Sequence, residues 1–168
     1  LPVDINLSVY RFEPVHDAHS AKGMPPRTIR YGLGAIKGTG QAAVEEILRQ
    51  REQDGPFVDL YDFCRRVNRH TVNRRSMEAM IRAGAFDSLH SNRAALLASL
   101  NQAIEAAEQA DENANQFSLF EDDSSELVQK EMEKVVPWSL HESLMQEKQA
   151  LGFYFSHHLF DVWRDEIR

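Results

Sequence analysis

From residue 33 onward the chain is a succession of helix-forming runs, each ended by residues a helix cannot pass, and this punctuation constrains the fold most. Ala35-Ile36-Lys37 closes a short helix and Gly38-Thr39-Gly40 breaks it. Gln41 to Arg51 resumes, with Val44, Ile47, Leu48 and Arg51 on one face. Asp54-Gly55-Pro56 is a stop and a turn. Asp59 caps the next helix, with Asp62 in its first turn and Leu60, Phe63, Cys64 and Val67 along one stripe. Asn73 caps another, which ends at Gly84, a residue suited to a left-handed cap. Ser91 caps a longer helix from Asn92 to about Gln109, with Leu96, Leu97, Leu100 and Ile104 on one side.

The flanks are less regular. Val9-Tyr10-Arg11-Phe12 and Thr28-Ile29-Arg30-Tyr31 each alternate apolar and polar residues, which suits a short β-hairpin around a polar loop. Residues 110–125 are too rich in Asp, Glu, Asn, Gln and Ser to build a core, and read as a flexible acidic linker. Beyond it, Glu126 to Val136 reads as a helix stopped before Pro137. Ser139-Leu140-His141-Glu142 has the form of a capping box, with Leu140, Leu144 and Leu151 continuing one face. The fold class is mostly α.

The net charge of −7 argues against a nucleic-acid partner until it is divided along the chain. Residues 27–93 hold 12 Arg and Lys against 8 Asp and Glu, whereas residues 94–168 hold 5 against 15. A basic middle thus sits inside an acidic chain. No apolar run reaches membrane-spanning length. The single cysteine, Cys64, can form no internal disulfide and reads as a small core residue in a reducing compartment. Leu1 in place of an initiating methionine suggests a piece of a longer protein.

Three segments carry candidate function. Lys37-Gly38-Thr39-Gly40 precedes a helix, whose first N–H groups are unpaired and carry partial positive charge. Glycines there let a phosphate approach those N–H groups, with Lys37 adding charge. On the residues alone this is equally a simple joint between helices. The spacing fits neither a nucleotide P-loop nor a dinucleotide fold. The second segment is the cluster Arg65, Arg66, Arg69, Arg74, Arg75 and Arg82, in which Glu78 is the only acid. Such cations suit phosphate contacts, which fix position without reading sequence; the bland alternative is a solvated face paired with acids elsewhere. The third is Gln116-Phe117-Ser118-Leu119-Phe120, an apolar island in the acidic linker. It folds back on its own domain, or docks into a partner's hydrophobic pocket.

Catalytic and metal readings are minor ones. His16 and His19 lie in a polar loop without further ligands nearby, and Glu121, Asp122, Asp123 and Glu126 lie on the flexible run, whereas metal-binding carboxylates need a rigid frame. His157 and His158 are adjacent, which on a strand sends them to opposite faces. No nucleophile is paired with a base, so no catalytic or metal residue is assigned.

The stretch Ile29-Arg30-Tyr31-Gly32-Leu33-Gly34-Ala35-Ile36-Lys37-Gly38-Thr39-Gly40 resembles the helix-hairpin-helix entry of the bacterial DNA polymerase III alpha subunits. So do Gly55-Pro56-Phe57-Val58-Asp59-Leu60-Tyr61-Asp62-Phe63-Cys64, Val72-Asn73-Arg74-Arg75 and Met80 to Asp87. Lys148-Gln149-Ala150-Leu151-Gly152-Phe153-Tyr154 is similar to the stretch leading to that subunit's OB-fold domain. The resemblance implies tandem helix-hairpin-helix elements on duplex DNA and an internal sliding-clamp motif, matched by Gln116 to Phe120. It also implies a cytoplasmic replicase subunit, in contact with other replicase subunits, whose Mg2+-binding carboxylates lie in a palm upstream of this segment. This segment is then inactive alone and holds no cofactor. Two departures stand out. Ala83-Gly84-Ala85-Phe86 lacks a Gly-x-Gly, and Ser156-His157-His158-Leu159 replaces the usual Ser-Gly-His-Pro.

The expected organisation is therefore a tail of the fingers over 1–32, a tandem helix-hairpin-helix domain over 33–109, the clamp-binding linker over 110–125 and a helical bridge over 126–168.

Overall fold

A computed structural model of the chain describes residues 1–15, 28–117 and 131–163. It is mostly α-helical. Two short strands, β1 (Glu13–Val15) and β2 (Thr28–Arg30), pair antiparallel with Glu13 opposite Arg30. A 3-10 turn over Leu33–Ala35 leads into α1 (Gln41–Asp54), α2 (Leu60–Arg66), α3 (Arg74–Arg82), α4 (Arg93–Phe117) and α5 (Leu140–Leu151). A last 3-10 turn covers Leu159–Val162.

The helix starts follow from local chemistry. The Asp59 carboxylate accepts from the Asp62 N–H at 2.7 Å, and the Asn73 side chain from the Ser76 N–H at 3.0 Å. Ser139 does the same for Glu142 at 3.2 Å. Each satisfies an amide that a helix leaves unpaired in its first turn. At α4 the cap is Asn92, whose side-chain oxygen accepts from the Ala95 N–H at 3.1 Å, one residue later than the expected Ser91.

Edge-to-face contacts chain the core together: Phe57 with Phe63, and Phe63 with Phe86, both at 4.9 Å between ring centres. Around them sit Ile47, Leu60, Met77, Met80, Ile81 and Leu96, all inaccessible to solvent. Helix α2 packs closely along α4, and α3 lies against α4 and α5. Cys64 is buried in this core, and burial pushes its thiol up to about 12.

Four expectations need correction. The strand ladder uses Glu13–Val15 rather than Val9 to Phe12. Val9 and Tyr10 instead accept through their carbonyls from the Leu33 and Gly34 N–H groups, at 2.7 and 3.0 Å. This crossing is tight enough that a Cβ on Gly32 would lie 2.4 Å from the Tyr10 oxygen. Second, the start of the segment expected as a tail of the fingers is packed into the core: Val3 and Ile5 enter it, the Ile5 N–H reaches the Ala85 carbonyl at 2.7 Å, and Asn6 exchanges two hydrogen bonds with the Phe57 backbone. Third, α4 runs past Gln109 to Phe117, so the first part of the supposed linker is helical. Its Ala, Glu and Gln residues are strong helix formers, and Arg69 pairs with Asp111.

Fourth, of the helix expected over Glu126 to Val136, residues 126–130 lie outside the described residues and residues 131–136 are not helical. They form a strap along α4, where the Glu133 N–H bonds Ser99 Oγ at 2.8 Å and the Val135 carbonyl accepts from Asn92 Nδ2 at 2.8 Å. Pro137 bars the helical conformation at Val136, and β-branched Val135-Val136 suits an extended chain. Of the face expected over Leu140, Leu144 and Leu151, the last two are buried and Leu140 is 37% exposed; Glu147 and Ala150 join the inner side of α5.

Two measurements check this core. Phe63→Ala should cost about 3–5 kcal/mol, the loss typical of a buried Phe, read from urea unfolding followed by circular dichroism. Because the Cys64 thiol is raised from about 9 to about 12, its contribution to stability should be constant below about pH 9 and be lost as the pH climbs toward 12, where the unfolded thiol ionises first. Unfolding midpoints for wild type and Cys64→Ser across that range isolate this contribution.

Candidate nucleic-acid interface

The loop Lys37-Gly38-Thr39-Gly40 lies between the 3-10 turn and α1. Gly38 sits at φ +83°, a left-handed conformation that glycine adopts without strain. Gly40 occupies the position before α1 and offers no side-chain cap, and the first turn of α1 contains no acid. The Ala43 and Val44 N–H groups close onto the Gly40 carbonyl, so those of Gln41 and Ala42 are left to an outside acceptor. Lys37, Gly38 and Gly40 are exposed, and a Cβ at either glycine would meet nothing within 4 Å. Thr39 is turned inward, its Oγ1 buried and without a partner among the described residues.

This loop is fastened to α3. Ser76 Oγ donates to the Gly38 carbonyl at 3.1 Å. The first turn of α3, which contains Arg74 and Arg75, is thereby held beside the glycine loop. Arg75 is exposed, and neither it nor Lys37 enters any ion pair among the described residues. Arg74 is 59% exposed and pairs only with Glu78 one turn along at 2.9 Å. Arg65 likewise is half exposed and bonded to Asp62 at 2.9 Å.

The other arginines of the cluster are engaged inside the protein. Arg66 donates to the Gln50 and Gly55 carbonyls at 2.7 Å each and to Asp62 at 3.1 Å, and its guanidinium lies 4.4 Å from the centre of the Phe57 ring. It thus caps the negative end of α1 from a neighbouring helix. Its side chain is 11% exposed, so Arg66 serves as a structural cation within the fold. Arg69 donates to the Cys64 carbonyl at 3.0 Å and to Asp111 of α4. Arg82 faces Glu78 at 3.6 Å and is mostly covered.

The second hairpin is also filled from within. Gly84 has φ +84°, and a Cβ there would fall 2.3 Å from an Arg93 guanidinium nitrogen. Arg93 makes two bonds to Asp87, at 2.8 and 2.6 Å, and donates to the Arg82 carbonyl at 3.3 Å. Burial works against its charge, yet Asp87 and Glu147 outweigh that and raise its pKa. Glu147 is 1% exposed and also accepts from the Phe155 and Ser156 N–H groups, at 2.6 and 2.9 Å. The sequence reading missed Arg93 and Glu147; an acid between Leu144 and Leu151 on an inward helix face was the available signal.

Of the apolar island, Gln116 is exposed near the end of α4 and Phe117 is the last residue of that helix. Ser118, Leu119 and Phe120 lie outside the described residues, as do His16, His19, Glu121, Asp122, Asp123 and Glu126. His157 and His158 are not on a strand: His158 caps the final 3-10 turn, its Nδ1 accepting from the Phe160 N–H at 3.2 Å. Among the described residues, no group of three or more His, Cys, Asp and Glu is placed to hold a metal ion. Nor is any helix there long and apolar enough to cross a membrane.

The glycine loop between a 3-10 turn and α1, with open amides and flanking cations, presents donors of the kind that an anion can accept from. Residues 1–96 match the family model described as helix-hairpin-helix motif, and the chain belongs to that family. Over its whole length it is similar to DNA polymerase III subunit alpha of Neisseria meningitidis serogroup B, with 47% identity over 170 residues. The same subunit of Bacillus subtilis is 42% identical over 168 residues, and that of Escherichia coli 35% over 172, each match covering 99% of this chain. The chain spans 14% of the length of each of these relatives.

The division of the arginines into buried and free has a direct test. Arg66→Ala should lower stability by about 2–4 kcal/mol, because it strips the end of α1 and leaves the Gln50 and Gly55 carbonyls unpaired. Arg75→Ala should change it by no more than about 0.5 kcal/mol. Thermal or urea melts of the two variants check the contrast.

Proposed function

We propose that this chain is the DNA-gripping segment of a replicative polymerase alpha subunit, holding duplex DNA by its phosphates without reading its sequence. The observation that carries this is the exposed Gly38–Gly40 loop at an uncapped helix start, tied through Ser76 to a helix start bearing Arg74 and Arg75. One phosphate accepts from the first amides of α1 with Lys37 beside it, and Arg74 and Arg75 take neighbouring phosphates. Arg65 extends the same cationic surface. Nothing in this set presents a donor and acceptor pattern matched to base edges, so affinity is electrostatic.

The similarity to DNA polymerase III alpha subunits supports a DNA polymerase as the parent protein, acting in the cytoplasm alongside other replicase subunits. Nucleotidyl transfer, with its Mg2+, belongs to a palm outside this chain, which is inactive alone. Gln116-Phe117-Ser118-Leu119-Phe120 docks the sliding clamp, with Leu119 and Phe120 as the anchors and α4 as the arm that presents them.

Fluorescence anisotropy with a primer–template duplex tests the DNA grip. The wild type should bind with an affinity that falls steeply with salt, and Lys37→Glu with Arg75→Glu should flatten that dependence by about two in log–log slope. An affinity independent of salt, or unchanged in the double variant, contradicts the reading. For the clamp, Leu119→Ala with Phe120→Ala should abolish clamp binding and leave DNA binding intact; clamp affinity that survives shows the motif is misassigned.

A further inference from the structure

The end of α4 projects beyond the core and is held back by one ion pair. Ala107 is the last buried residue of the helix, and every described side chain from Glu108 to Gln116 is exposed. In that stretch Asp111 reaches across to Arg69, 42 residues away, and it is the only ion pair there among the described residues. Residues of α1, the end of α2, the segment between α2 and α3, the start of α3, and α4 line a cleft of about 570 Å3 at this point. Arg49, Arg65, Arg66, Arg69 and Arg74 line it, opposite Glu108 and Asp111.

The pairs within this cleft are of two kinds. Arg49 with Glu46, Arg65 and Arg66 with Asp62, and Arg74 with Glu78 are neighbours three or four residues apart on one helix. They persist as long as their helices do. Arg69 with Asp111 joins two elements, and its acid is 58% exposed on a stretch, residues 108–116, whose side chains are all exposed. Meanwhile Arg69 is anchored from below by its bond to the Cys64 carbonyl, so the cation keeps its place when the acid leaves.

We infer that the Asp111 carboxylate occupies a backbone-phosphate site at Arg69, and that duplex DNA and the acidic end of α4 compete for this guanidinium. A phosphodiester carries the same charge as the carboxylate and offers equivalent acceptor oxygens to the Arg fork. Entry of a phosphate exchanges one anion for another, leaving the buried neighbours satisfied and detaching the helix end. By linkage, whatever holds the helix end on Arg69 weakens DNA binding, and whatever draws it away strengthens it. This rests on the phosphate grip proposed above and adds to it a named internal competitor.

The test is duplex binding by anisotropy for Asp111→Asn, Arg69→Gln, the double variant, and Glu112→Gln as a charge-matched control on the same helix end. Asp111→Asn should tighten binding by about two- to fivefold, the range set by an exposed ion pair, and Glu112→Gln by less. In the Arg69→Gln background the gain from Asp111→Asn should vanish. Amide exchange in residues 108–117 should speed up when DNA is added to the wild type. Equal gains from Asp111→Asn and Glu112→Gln, or a gain that persists without Arg69, would overturn the inference. If at the same time Lys37→Glu with Arg75→Glu still weakens binding, the phosphate grip stands without the competitor. No DNA binding by the wild type overturns both.

Discussion

The hydrogen bond from Ser76 to the Gly38 carbonyl joins the glycine loop beside Lys37 to the start of α3 beside Arg75, two cations without an ion pair among the described residues. Without it the glycine loop and the start of α3 are separate features, each too small to hold a polyanion. With it, open amides and free cations share one surface. Ser76 is itself 2% exposed and bonded to Asn73, so the cap that starts α3 also fixes the loop. The left-handed Gly38 permits the turn that brings its carbonyl round to the serine.

The same residue type serves opposite purposes a few positions apart. Arg66 closes the end of α1 over the Phe57 ring, and Arg93 fills the second hairpin beneath Gly84. Both are surrounded by carbonyls and carboxylates, which is the condition for a cation to be buried at all. Arg75 and Lys37 meet no such partners among the described residues. The two hairpins are therefore unequal: the first is open to solvent at its glycines, whereas the second has a guanidinium where a ligand would need to sit.

Much of this was legible from residues alone. Asp59, Asn73 and Ser139 announce their helices because a side-chain acceptor at a helix start has a local effect. The stripe Leu60, Phe63 and Cys64 reads as core for the same local reason. What stayed hidden depended on distant partners. Arg66 and Arg75 look alike in sequence, and only the arrival of the Gln50 and Gly55 carbonyls separates them. Residues 131–136, expected to be helical, instead lie along α4 with their backbone bonded to Ser99 and Asn92. Helix α4 outran its expected end because polar composition argues for exposure, not against a helix.

The central claim is that the amides at the start of α1 take a phosphate. An NMR titration of the isotopically labelled chain with duplex DNA tests it most directly, following the backbone N–H signals of Gly38, Thr39, Gly40, Gln41 and Ala42. These signals should move the most, together with those of Arg74 and Arg75, and the shifts should collapse as salt is raised. Movement confined to other surfaces, with the Gly38–Ala42 amides unchanged at saturating DNA, would contradict the account.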